Sequence, residues 1–149
     1  MRLLACIAVI LCTTGAASAQ DEGGPMAFTP SFDVQPSAAE FIRLYPPRAL
    51  QQNISGIAVL CCSPNPDRSV ACAVSSEFPA GQGFGEAAVQ ASHGYRLSPQ
   101  SHADLLARPG TAVRLSMLWT GPVILPATLD ALRRRDAETM EACLAPLQR

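Results

Sequence analysis

Gly56-Ile57-Ala58-Val59-Leu60-Cys61-Cys62, then Ser63 to Asp67 with Pro64 and Pro66, then Ser69 to Ser76, is the stretch from which the fold is read. The first run is apolar on both faces, the pattern of a strand covered on both sides. The prolines mark a turn. In the second run Val70, Cys72 and Val74 fall on one face at period two. Two strands joined by a loop of this length make an antiparallel hairpin.

Downstream, Phe78 to Gly83 breaks the second strand. Phe84, Ala87, Ala88, Ala91 and Tyr95 then recur at helical spacing, with Gly94 placed as a stop. Leu97 to Gly110 is rich in polar residues and proline and reads as a loop. In the next run Val113, Leu115, Met117 and Trp119 alternate with Ala112, Arg114, Ser116 and Leu118, which predicts a third strand whose second face is mixed. Trp119 ends the apolar face and reads as core. Thr128 to about Leu144 predicts a final helix with a stripe of Leu129, Leu132, Met140, Cys143 and Leu144.

Upstream, Ser37-Ala38-Ala39-Glu40 has the spacing of a capping box and predicts a helix to about Leu44. Pro47 to Gln52 suits another short helix, because proline fits a first turn. Gln20 to Pro36, with Pro25, Pro30 and Pro36, reads as an extended lead-in.

Arg2, the apolar run Leu3 to Cys12 and the small-x-small site Ala17-Ser18-Ala19 have the form of an export signal cut after residue 19. The expected compartment is therefore periplasmic. An uncleaved segment anchored in the inner membrane is the alternative, and the run is shorter than the roughly 18 to 20 residues of a spanning helix. The 149-residue chain is 15% charged, and its eleven basic residues are all arginine against twelve acids. That balance speaks against a nucleic-acid partner, which needs a basic surplus on one face. The residues beyond the leader suffice for one domain.

The glycine cluster Gly81-Gln82-Gly83-Phe84-Gly85 stands where a phosphate loop would, but its spacing is not that of a dinucleotide fingerprint, and Glu86 adds a negative charge. It reads as a tight strand-to-helix turn. His93 at a helix end and His102 in a polar loop belong to no catalytic or metal motif, and no CxxC pair is present. Arg133-Arg134-Arg135 is flanked by Asp130, Asp136 and Glu138 and reads as a solvated helix face. The reading is of a binding domain rather than an enzyme, with no catalytic residue, cofactor, metal or small-molecule substrate expected.

Taken in order, Tyr45-Pro46-Pro47-Arg48-Ala49, Gly56 opening a strand, Cys62 with Cys72, and Pro79-x-Gly81-x-Gly83-Phe84-Gly85-x-Ala87-Ala88 resemble the C-terminal domain of TonB-type energy transducers, in its cysteine-pair variant. The resemblance covers about Ser37 to Trp119. It implies a small α+β fold, a three-stranded antiparallel sheet with helices on one face, here followed by an extra C-terminal helix over residues 122–149. It also implies a periplasmic domain that binds a segment of an outer-membrane transporter by strand addition. The chain differs from the family in its cleavable leader, the roughly thirty residues after the third strand, and a lead-in of about twenty residues that reaches only ~70 Å.

Four cysteines remain after the leader, Cys61, Cys62, Cys72 and Cys143, and three connectivities are formally possible. Facing positions in the hairpin predict Cys62 with Cys72, leaving Cys61, on the opposite strand face, for Cys143. The third strand is expected to be an edge, with Arg114, Ser116 and Leu118 as the peptide-binding residues. An envelope structural or accessory protein that keeps the fold without binding peptide is the second expectation, favoured if the final helix lies over the third strand.

Overall fold

The computed structural model describes residues 29–121 and 126–138. Within them the chain runs β1 (Phe32–Val34), α1 (Ala38–Arg43), α2 (Pro47–Gln51), β2 (Gly56–Pro64), β3 (Val70–Phe78), α3 (Phe84–Ser92), β4 (Arg96–Leu97), α4 (Pro99–Leu106), β5 (Val113–Trp119) and α5 (Pro126–Glu138). β2 is the central strand of an antiparallel sheet in the order β3-β2-β5, and β1 and β4 form a second, two-stranded sheet. The fold is α+β, as the residue pattern predicts.

Two distances define which way the backbone groups of the sheet point. The Cα atoms of Cys62 and Cys72 lie 4.0 Å apart, the close approach of a pair that exchanges no ladder hydrogen bonds. At the hairpin end the Asn65 amide donates to the Ser69 carbonyl at 2.8 Å, which fixes the alternate parity as the bonded one. The amides of Ile57, Val59, Cys61 and Ser63 therefore face β3, and those of Ala58, Leu60 and Cys62 face β5. On β5 the backbone groups of Arg114, Ser116 and Leu118 point away from β2. On β3 those of Val70, Cys72 and Val74 do the same. Leu60 pairs with Val74 and Val59 with Ser76, so Ser75 is the extra residue of a bulge within β3, and the strand runs on through Phe78, which pairs with Ile57 rather than opening the break.

Side chains divide between the two faces by the same parity. Ala58, Leu60 and Cys62 of β2 join Val113, Leu115, Met117 and Trp119 of β5 in the main core, closed by Phe84, Ala87, Ala88 and Ala91 of α3, with Leu97 and Leu105 from β4 and α4. Ile57 and Val59 point the other way and are still buried, at 6% and 1% exposure. α5 packs against β2 and its Leu132 is fully buried outside the main cluster. α5 thus covers the face that the other helices leave. It begins at Pro126, two residues earlier than predicted. Met140, Cys143 and Leu144, like the leader, lie outside the described residues.

α1 is capped as its sequence predicts: the Ser37 hydroxyl accepts from the Glu40 amide at 3.3 Å, and the Glu40 carboxylate accepts from the Ser37 amide at 2.8 Å. The stretch Leu97 to Gly110 is not a loop. Leu97 closes β4, and Ser98 caps α4 by accepting from the Ser101 amide at 3.2 Å, with Pro99 in the first turn. His102 accordingly sits on a helix, its Nε2 2.8 Å from the Asn65 carbonyl. Nor is the whole lead-in a free tether. The Ser31 amide donates to the Ser101 hydroxyl at 2.9 Å, Phe32 packs edge-on against Tyr95, and Asp33 pairs with Arg68 at 2.6 Å. Both partners of that ion pair are well exposed, so it contributes at most about 1 kcal/mol.

Candidate functional site

Tyr45, Pro46, Ala49, Gly56, Phe84, Ala87 and Ala88, among the residues that carry the resemblance, converge on one packed knot between the sheet and α3. Tyr45 donates its hydroxyl to the Ile54 carbonyl at 2.7 Å and sets its ring edge-on to Phe84. Burial raises the Tyr45 phenol above its ordinary range, against a smaller opposing effect of a hydrogen bond with Ser55. Phe84 is fully buried and tilted against Trp119, which stacks on Phe41 at 4.5 Å. Gly56 has no alternative here, because a Cβ would fall 2.1 Å from the Phe84 ring. Pro46 is buried beside Gly83, and Ala49, Ala87 and Ala88 line the same core.

The turn entering α3, which the residue spacing reads as structural, has an informative geometry. Gly81 and Gly83 adopt φ of +73° and +87°, a region that favours glycine. Four successive amides, those of Gln82, Gly83, Phe84 and Gly85, converge on the Glu77 carboxylate at 2.8, 2.8, 3.3 and 3.1 Å. Such a nest at a helix start is an anion cradle. Here the anion is the chain's own side chain, so the loop is filled from within. Glu77 escapes a reading of the sequence; its only signal is an acid at a strand end just before the glycines.

The expected edge residues are on a different part of the molecule. Among the described residues β5 pairs as a strand with β2 alone, and its side chains alternate between buried Val113, Leu115, Met117 and Trp119 and the more exposed Arg114, Ser116 and Leu118. The latter three are the residues whose backbone groups point outward. Arg114 and Ser116 each also take part in an interaction within the chain. The Cys62–Cys72 disulfide is formed as predicted, with an S–S distance of 2.01 Å. Closing its short loop contributes about 2 to 3 kcal/mol on the chain-entropy model. Cys61 is disulfide-bonded as well; Cys143, the partner expected for it, lies outside the described residues.

His93 is exposed just past the end of α3. Among the described residues no group of three or more histidine, cysteine or acidic side chains is placed to hold a metal ion, and no helix is long and apolar enough to cross a membrane. Arg133 and Arg134 of α5 are exposed, as is Asp130. No family model, curated protein or solved structure matches this chain.

Proposed function

We propose that this chain is a non-catalytic, exported TonB-like module that binds an extended segment of an outer-membrane transporter, or of another envelope protein, by adding it to the β5 edge. The observation that carries the reading is the position of β5: a seven-residue strand at the end of the sheet order β3-β2-β5, with the backbone of Arg114, Ser116 and Leu118 directed away from β2. Main-chain bonds supply affinity in such an arrangement, and alternate side chains supply selectivity. The resemblance over Ser37 to Trp119 supplies the class of partner, and the signal-like first nineteen residues the compartment. α5 packs against β2, the central strand, whereas strand addition takes place in the plane of the sheet beyond β5.

The second reading, an envelope structural protein without peptide activity, draws on the engagement of Arg114 and Ser116 within the chain. The two are separated by titrating the exported protein with a transporter-derived peptide and repeating the titration with Ser116→Pro. Proline at 116 removes an outward amide without touching the β2 ladder. Binding that weakens by tenfold or more, with the thermal midpoint nearly unchanged, is the expected result. No binding, or binding indifferent to the substitution, sinks strand addition and leaves the structural reading.

A further inference from the structure

Ser69-Val70-Ala71-Cys72-Ala73-Val74-Ser75 reads identically in both directions, and it lies along the other edge of the sheet. We infer that β3 pairs antiparallel with β3 of a second copy, joining two three-stranded sheets across a two-fold axis at Cys72.

Three observations carry this. First, the outward backbone groups belong to Val70, Cys72 and Val74, and among the described residues none of them is bonded to another part of the chain. Second, edges are commonly guarded by charge or proline, yet Val70 to Ser76 contains neither. Third, antiparallel pairing reverses one strand, so a palindrome meets itself residue for residue. With Cys72 on the axis, Val70 faces Val74 of the other copy, Ala71 faces Ala73, and Ser69 faces Ser75. Each outward-pointing residue then has an outward-pointing partner, whereas a slip of two residues leaves one at each end without one. No charged residue is set against another within the paired stretch, and the bulge at Ser75 ends the match.

A two-fold axis at Cys72 sets each residue against its mirror position whatever the sequence, and the palindrome makes every such pair one of identical residues, a match that a foreign peptide has no reason to share. The side chains that would approach are small and accessible: Ala71 and Ala73 are exposed and, with Cys61, Ser63 and Ser75, floor a shallow apolar cavity of about 320 Å³. Two such floors become continuous across the axis.

The test is sedimentation equilibrium of the disulfide-intact protein from about 10 μM to about 1 mM, where mass action reveals even a weak dimer. The wild type is expected to dimerise. A71K/A73K sets like charges opposite each other across the axis and should raise the dimer dissociation constant by about tenfold or more, whereas A71K/A73E sets opposite charges together and should retain the dimer. Circular dichroism and the thermal midpoint verify that both variants fold. Ser116→Pro, on the other edge, should leave the dimer unchanged. A wild type monomeric throughout the range overturns the inference and frees β3 for a different occupant. Equal dissociation of the two double variants overturns the register, and dissociation by Ser116→Pro moves self-association to β5.

Discussion

The knot around Phe84 and the two sheet edges differ in what they ask of a side chain. In the knot nearly every position has one tolerable residue: a ring at 84, no Cβ at 56, positive φ at 81 and 83, an acceptor at 77. Along the edges the groups offered to a partner are backbone groups, which any residue but proline supplies. A family-like motif therefore marks where this fold is assembled, and the surface available for recognition lies where the motif is thin. Function assigned from Gly81 to Gly85 alone would be sought in a loop already occupied by Glu77.

The sharpest way to break this contrast is to perturb the knot. Phe84→Ala should cost about 3 to 5 kcal/mol, as removal of a fully buried ring does. Gly56→Ala should cost about 1 to 3 kcal/mol or more through overpacking against the same ring. In the double variant the added methyl group enters space the ring has left, so urea midpoints should show a loss smaller than the two costs together. Strict additivity would mean that Gly56 is required for some reason other than the ring.

Glu77→Ala should have the next largest effect, about 2 to 3 kcal/mol, because four amides lose a charged acceptor at once. Glu77→Gln retains an acceptor oxygen and should lose less. If both variants unfold at the wild-type urea concentration, water replaces the carboxylate at no cost and the loop is not held by it.

The smallest effect is expected at the exposed start of α1. Bonds from the Ser37 hydroxyl and amide hold the Glu40 carboxyl below the ordinary carboxylate range. A depressed folded-state value stabilises the fold above the unfolded value, and that contribution is lost as pH falls through the folded one. Ser37→Ala should move Glu40 upward in an NMR titration, and its stability difference from wild type should shrink on acidification. A Glu40 titration unchanged by the substitution would assign the shift to another cause.

What was legible in the sequence was whatever local chemistry determines: the hairpin from its alternation, α1 from Ser37 and Glu40, the start of α3 from its glycines, β5 from four alternating apolar residues, and the Cys62–Cys72 pair from hairpin register. The misses have a common cause. β1 and β4 span three and two residues, too few for a period, and exist because each supplies the other's partner. α4 buries only Ser101 and Leu105, so it lacks an apolar stripe, although Ser98 and Pro99 are a helix start that composition concealed. The Glu77 cradle joins a strand end to a loop beyond it, a contact made by a bend in the chain and absent from any periodic pattern. The outward direction of the Arg114, Ser116 and Leu118 amides follows from a Cα separation on the far side of the sheet, which no residue pattern carries.

The alternating direction of the β2 backbone means that one strand carries two interleaved sets of solvent-exchange reporters. The amides of Ala58, Leu60 and Cys62 are shielded by β5, and those of Ile57, Val59, Cys61 and Ser63 by the hairpin partner. Deuterium uptake resolved at single residues would therefore separate opening of one seam from opening of the other within a single continuous segment, without a label or a substitution.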